Sequence, residues 1–170
     1  EGFETAGLEA VSYQTTDYMP HSSGANIAKV EVDVVTGGIK ILDYYVVHDC
    51  GRILNPMIVD GQIIGGVVHG IGNAMFEQMV YDDSGNPMTT NYGDYLLTLA
   101  SEMPEIHVAH IETPSPANPM GLKGAGEGGT IPAIGAMINA IEDALTPFDA
   151  YIAKYPVTPE YILELVDGEK

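Results

Sequence analysis

One carboxylate of the sequence, Glu127, lies inside a run of glycines, Gly124-Ala-Gly-Glu-Gly-Gly129. Glycines allow the backbone to adopt positive φ and to approach a ligand more closely than larger residues permit. The segment therefore indicates an acid that is held in place against a ligand. The alternative, from this segment alone, is a flexible loop with a solvated glutamate.

A second group of polar residues lies in the segment Asp49-Cys-Gly-Arg-Ile-Leu-Asn-Pro56. Its glycine and its Asn-Pro pair end the strand that is predicted before it, so these side chains fall on a loop at a strand end. Such loops commonly carry ligand-binding residues. The other interpretation is that Asp49 and Asn55 only stabilise the turn through side chain-to-backbone hydrogen bonds.

A third candidate segment begins near Gln62, which can form hydrogen bonds with the edge of a cofactor. Apolar residues recur at steps of three and four over Met57–Tyr81 and predict a helix. Each glycine inside a helix costs about 1 kcal/mol relative to alanine, so several of them imply close packing or a ligand against the backbone. The segment has five glycines: Gly61, Gly65, Gly66, Gly70 and Gly72.

The sequence gives little support for a metal held by side chains or for a P-loop. Cys50 is the only cysteine, so no disulfide, zinc or iron–sulfur site can be built from thiolates of this chain. His69 is interpreted as an ordinary helix histidine, and His107 and His110 should face opposite sides of a strand. A nucleotide-phosphate loop over Gly124–Gly129 lacks the Gly-Lys-Ser/Thr ending of that motif.

Strands, with apolar residues at every second position, and helices, with apolar residues at every third or fourth position, are predicted around these segments. Alternating apolar and polar residues predict strands over 26–33 and 39–48, joined as a hairpin by Thr36-Gly-Gly38, and short strands over 8–13 and 106–112. Helices are predicted over 58–80, over 130–145 directly after Glu127, and over 158–166, and a short strand or helix is predicted over 91–100. The 130–145 helix begins with free N–H groups that can hold an anion. The predicted fold class is α+β, with a mixed sheet in one layer and two main helices covering it in the other.

The amino-acid composition limits the classes of molecule that the chain can bind. The chain has 170 residues, enough for one domain with a core, and its 45% hydrophobic content argues against disorder. A formal net charge of −18 without a basic cluster argues against nucleic acids and anionic membranes, although it also fits a high-salt habitat. No apolar run is long enough for a membrane span. The lone cysteine fits a reducing, cytoplasmic setting, and the first residue, Glu1, suggests a piece of a larger protein.

Three of these segments, taken in order and spacing, resemble a known family. Asp49–Pro56, Gly61–Gly72 and Gly124–Gly129 resemble the molybdenum-binding subunit of xanthine dehydrogenase, aldehyde oxidase and aerobic carbon monoxide dehydrogenase. The resemblance covers about residues 8–168, which correspond to only the C-terminal part of that longer subunit. It implies that residues 1–170 form the C-terminal molybdenum-cofactor-binding domain of an oxidoreductase and are inactive alone.

The resemblance also implies roles for individual residues. Glu127 would lie beside the molybdenum of a molybdopterin cofactor and act as general base in hydroxylating an aldehyde, an N-heterocycle or a CO-like substrate with water-derived oxygen. The metal is held by the pterin dithiolene, not by side chains. Cofactor contacts are expected from Gln62, Asp49, Cys50, Lys123, Gly65, Gly66 and Gly126; Cys50 can equally be a small loop residue.

The implied cofactor and partners complete this expectation. The cofactor would be in its cytosine dinucleotide form, with 2Fe-2S clusters and FAD on other domains or subunits. Partners would be the rest of the molybdenum subunit, iron–sulfur and flavin modules, and a small-molecule substrate. The alternative is a non-catalytic domain that keeps the fold and packs against partner subunits, which the presence of Glu127 argues against.

Overall fold

The computed structural model describes residues 7–8, 10–13, 15 and 18–168. Its strands and helices, in chain order, are β1 (Ser23–Val32), β2 (Ile39–Asp49), α1 (Pro56–Met75), β3 (Ile106–His110), α2 (Thr130–Ala144) and α3 (Pro159–Asp167), with short 3-10 turns at Ala100–Glu102 and Thr146–Phe148. Part of the strand predicted over 8–13 lies outside the described residues, and its described residues are not in a strand.

The β1–β2 hairpin is confirmed and forms one half of the sheet. The two strands pair antiparallel, and the turn is closed by the N–H of Gly37, which donates to the carbonyl of Asp33 at 2.7 Å. Gly37 has φ of +73°, and a Cβ there would lie 2.1 Å from the carbonyl oxygen of Pro159, so the turn requires glycine. In the second half of β2, Tyr44, Val46 and His48 are buried and alternate with exposed residues, so they point into the core.

The third strand makes the sheet mixed, as predicted. β3 pairs parallel with β2, which places His110 beside His48 at the ends of the two strands. His107 stacks on Tyr45 on one face of the sheet, with ring centroids 4.8 Å apart. His110 contacts Asp60 of α1 on the other face, Nε2 to Oδ1 at 2.6 Å, so the two histidines do face opposite sides.

Helices α1 and α2 pack together on the inner face, and glycines let them approach closely. A Cβ on Gly70 would lie 2.5 Å from the Cβ of Ala133, and one on Gly129 would lie 2.2 Å from the carbonyl oxygen of Ile63. Close packing is therefore the reason for some of the α1 glycines. The core between helices and sheet is built from apolar side chains such as Tyr44, Val46, Ile63, Val67, Ile71, Met137 and Ile141. The α+β, two-layer prediction is confirmed.

Two predicted elements differ from the structure. Helix α1 ends at Met75 rather than near residue 80, because the carbonyl of Gly72 accepts from the N–H groups of both Phe76 and Glu77, each at 2.8 Å. The segment 91–100, predicted as a short strand or helix, forms turns and irregular backbone before the 3-10 turn. No helix in the described part of the chain has the length and apolar character needed to cross a membrane.

Candidate functional site

The loop after β2 and the segment before α2 are joined by backbone contacts. Gly51 and Leu122 form an antiparallel bridge, and the N–H of Lys123 donates to the carbonyl of Cys50 at 2.9 Å. Gly51 and Gly121 have φ of +71° and +72°, and a Cβ on Gly51 would lie 2.2 Å from the Gly121 oxygen. Two of the segments singled out in the sequence therefore meet, and glycine is needed where they cross.

Asp49 and Lys123 form a buried ion pair at this crossing. The Nζ of Lys123 lies 3.1 Å from Oδ2 of Asp49, with only 13% and 10% of the two side chains exposed. Lys123 also donates to the hydroxyl oxygen of Thr113 at 2.5 Å, and that hydroxyl donates to Asp49. The N–H of Gly51 donates to Oδ1 of Asp49 at 2.8 Å. Thr113 was not a candidate in the sequence.

These contacts determine the protonation state of the cluster. Burial acts to raise the pKa of Asp49, but hydrogen bonds from Thr113, Gly51 and Lys123 outweigh it and hold the pKa well below its ordinary value. Burial raises the pKa of the neighbouring Cys50 thiol, with Asp49 and Glu112 adding to the shift. Asp49 is therefore an anion paired with a cation, and Cys50 is an unreactive buried thiol that contributes its backbone carbonyl.

Other residues of the loop and of α1 have separate roles. Asn55 caps α1 by accepting from the N–H of Ile58 at 3.3 Å, which supports the turn-stabilising interpretation for Asn55. The side chain of Gln62 donates to the carbonyl of Gly126 at 2.7 Å and so ties α1 to the glycine-rich loop. A Cβ on Gly66 would lie 3.0 Å from the backbone N of Thr130, so Gly66 serves helix packing. Gly65 is exposed, with open space around it.

Glu127 lies on the wall of a cavity of about 470 Å³. The loop residues Gly124, Gly126 and Gly128 and the start of α2 line the same cavity. The carbonyl of Glu127 accepts from the N–H groups of Thr130 and Ile131, at 3.1 and 3.2 Å, which fixes its backbone at the first turn of α2. Its side chain is exposed and makes no hydrogen bond to another described residue.

His48 lies in the same wall and was not a candidate in the sequence. Only 2% of its surface is exposed, and neither ring nitrogen has a hydrogen-bond partner among the described residues. Burial lowers the pKa of His48, with His110 adding to the effect and Asp49 opposing it, so the imidazole is neutral. The signal that was available is the alternation of β2, which places Tyr44, Val46 and His48 on the inner face.

The arrangement therefore combines an accessible carboxylate, a neutral imidazole and a helix N-terminus around one cavity. Within the described ranges, no group of three or more His, Cys, Asp or Glu side chains could hold a metal ion. A cluster of this kind can accept a proton and offer neutral hydrogen-bond donors to an anionic ligand.

The sequence comparisons identify relatives of this chain. Residues 2–104 match a family model described as a molybdopterin cofactor-binding domain. The nicotine 6-hydroxylase large subunit of Paenarthrobacter nicotinovorans is 45% identical over 167 residues, covering 98% of this chain and 20% of that subunit. An alignment of that extent includes the Glu127 loop, and the chain spans about a fifth of the length of this curated relative.

Solved structures agree with the sequence matches. Quinoline 2-oxidoreductase of Pseudomonas putida 86 matches with a TM-score of 0.84 and 41% identity over 86% of this chain and 19% of that chain. A Cu,Mo-CO dehydrogenase in its carbon monoxide reduced state matches with a TM-score of 0.89 and 33% identity over 95% of this chain and 20% of that chain. The chain belongs to the molybdopterin cofactor-binding domain family, as its resemblance to molybdenum-binding subunits predicts.

Proposed function

We propose that this chain is the C-terminal cofactor-binding domain of a molybdenum hydroxylase and supplies Glu127 as the general base. The observation that carries the proposal is the position of Glu127, a carboxylate on a glycine loop at the wall of a cavity, with no partner among the described residues. A base has to be free of competing cations and reachable by the substrate. Lys123, the nearest cation in sequence, is held by Asp49 and Thr113 instead.

The residues present fit a molybdopterin dinucleotide. An anionic cofactor bound to a chain of net charge −18 needs local donors rather than a diffuse cationic field. The start of α2 offers N–H groups, because those of Gly128 and Gly129 have no partner among the described residues. A buried imidazole without a partner, His48, borders the same cavity.

Each cofactor contact expected from the family has a place in this proposal. Gln62 and Gly126 position the glycine loop through their mutual hydrogen bond. The Asp49–Lys123 pair presents an ordered polar edge, to which Cys50 contributes backbone only. Gly65 leaves open space for a ligand, and Gly66 acts indirectly by letting α1 approach α2.

The bound cofactor would supply the two-electron oxidation of the substrate carbon. This chain supplies the group that accepts the proton released by the water-derived oxygen. Glu127 accepts that proton on its carboxylate, and the α2 backbone keeps the carboxylate at the cavity. We place the cofactor in its cytosine dinucleotide form. The 2Fe-2S clusters and FAD belong to partner domains or subunits of a longer, cytoplasmic assembly that also contains the rest of the molybdenum subunit.

An N-heterocycle is the substrate class that the relatives favour. Two proteins more than 40% identical to this chain are named for nicotine and quinoline, and both compounds are nitrogen heterocycles. The carbon monoxide dehydrogenase matches are lower in identity, at 38% or less. Aldehydes and CO-like molecules are therefore second choices for the first assays.

The test uses the full-length protein with its partner subunits. Glu127→Gln keeps the size and polarity of the side chain but removes its basicity, so kcat for hydroxylation should fall about 1,000-fold. Molybdenum and cytosine nucleotide content should stay at the wild-type level. Glu31→Gln on the exposed side of β1 is the matched control and should leave kcat unchanged.

Two outcomes contradict the proposal in different ways. A Glu127→Gln protein that turns over at nearly the wild-type rate excludes the general-base role and favours a non-catalytic domain. A wild-type protein that contains no molybdenum or cytosine nucleotide excludes the cofactor assignment itself.

A further inference from the structure

His48 lies directly under the loop that carries Glu127. A Cβ on Gly128 would lie 2.1 Å from its Nε2, and on the other side a Cβ on Gly24 would lie 3.5 Å from its Cδ2. The imidazole thus fills the space between β1 and the glycine loop. Any side chain at residue 128 would have to displace it.

Shape alone does not account for a histidine at this position. Both ring nitrogens are buried and have no hydrogen-bond partner among the described residues. A buried polar group without a partner is destabilising, whereas an apolar ring of the same size would fill the space without that cost. An imidazole that remains here therefore has a partner in the working protein, and the cavity beside it has room for one.

The surroundings of His48 favour its neutral form. The titratable groups that face it are Asp49 on its own strand, His110 on β3 and Glu127 on the loop before α2. On the α1 side, Asp60 bonds to His110 and not to His48. A neutral imidazole can both donate and accept a hydrogen bond, so it can hold a water or ligand atom without placing a cation near Glu127.

We infer that His48 is a positioning residue of the candidate active site, which fixes the Gly124–Gly129 loop, and with it Glu127, by packing under Gly128 and by a hydrogen bond from a ring nitrogen to a water or ligand atom in the cavity. The inference about catalysis rests on the proposed function. The inference about the loop does not, because loop order is measurable in cofactor-free protein.

The test compares His48→Phe, which keeps a ring but loses both nitrogens, with His48→Gln, which keeps a hydrogen-bonding nitrogen near the position of Nε2. In the full-length assembled protein, His48→Phe should lower kcat about 100-fold, as expected when a catalytic group is misplaced, with KM nearly unchanged. His48→Gln should recover most of that loss. His107→Phe, on the opposite face of the sheet, is the matched control and should behave as wild type.

Hydrogen exchange gives a second readout that does not depend on activity. In His48→Phe, the hydrogen-bonded amides at the two ends of the loop, those of Lys123, Thr130 and Ile131, should lose protection while those of α1 keep it. A loss in both cofactor-free and loaded protein identifies water as the partner, and a loss in loaded protein alone identifies the ligand. The inference is overturned if His48→Phe and His48→Gln show equal kcat and loop protection equals that of wild type.

These outcomes separate the inference from the proposed function. If the wild-type protein carries no molybdenum, the proposed function fails, but loop protection in His48→Phe still tests the positioning role. If Glu127→Gln abolishes turnover and His48→Phe changes neither kcat nor exchange, the proposed function stands and this inference fails.

Discussion

The two ends of the short segment from Lys123 to Gly128 contrast in how their polar groups are paired. At one end, the Lys123 ammonium contacts both Asp49 and Thr113, and its backbone N–H bonds to Cys50. At the other end, the Glu127 carboxylate lies at a cavity, and neither ring nitrogen of His48 has a partner in the described part of the chain. Only three residues of the chain, 124–126, separate the paired ammonium of Lys123 from the carboxylate of Glu127.

The difference separates the part of the site that stabilises the fold from the part whose polar groups have no partner among the described residues. Paired charges in a buried place hold two loops in one arrangement, because separating them leaves a charge without a partner. The Glu127 carboxylate and the ring nitrogens of His48 have no hydrogen-bond partner among the described residues and are available for binding or proton transfer. The Lys123 end therefore anchors the loop through paired charges, whereas the base that we propose lies at the Glu127 end.

The largest expected effect comes from removing the ion pair at the Lys123 end. Asp49→Asn leaves the ammonium of Lys123 buried without its anion, so the free energy of unfolding should fall by about 3 kcal/mol. Urea unfolding of the chain, followed by far-UV circular dichroism, measures the change. Glu127→Gln, at the open end, should give the wild-type unfolding curve, because its side chain is exposed and has no described partner.

A double variant is the control for this first prediction. Asp49→Asn combined with Lys123→Met removes both charges, so it should lose less stability than the sum of the two single variants. An Asp49→Asn protein as stable as wild type would show that the ion pair is effectively solvated and would remove the contrast between the two ends.

The second expected effect compares two glycines of the same loop, one packed against a helix and one beside open space. Gly129 packs against α1, where an added Cβ would lie 2.2 Å from the backbone oxygen of Ile63. Gly129→Ala should therefore destabilise the chain by about 2 kcal/mol, the usual cost of overpacking. Gly126 borders open space, so Gly126→Ala should leave stability unchanged or slightly raised. Equal unfolding midpoints for the two variants would contradict this packing.

Local patterns in the sequence predict much of this architecture. The period-two alternation of 26–33 and 39–48 identifies the hairpin, and helix α2 begins and ends within one residue of the predicted 130–145. Both signals are local, because apolar spacing and a Pro near the first turn act within one element. The three segments that carry the family resemblance also meet in the structure, through the Gly51–Leu122 bridge and the hydrogen bond from Gln62 to Gly126.

The remainder depends on contacts that a linear sequence does not display. Helix α1 ends five residues early because one carbonyl, that of Gly72, accepts two N–H groups. Thr113 belongs to a Pro-rich connector, and it joins the ion pair only because β3 pairs parallel with β2 and brings it beside Asp49. His48 looks like the last residue of an ordinary strand until the loop before α2 is folded over it.

The smallest expected effect tests the paired end through pH. The pKa of Asp49 in the folded chain is held below its ordinary value, so the unfolded state takes up a proton first as pH falls. The stability that its carboxylate contributes is therefore complete above about pH 4 and is lost as pH falls toward the folded pKa, by at most about 1.4 kcal/mol per pH unit.

The other carboxylates titrate in wild type and in Asp49→Asn alike and cancel in their difference. Unfolding free energies of the two proteins should differ by a constant amount from pH 5 to 7 and by about 1 kcal/mol less at pH 3. A difference that stays constant down to pH 3 would mean that Asp49 titrates as an unpaired carboxylate, so that the Lys123 end is as open as the Glu127 end.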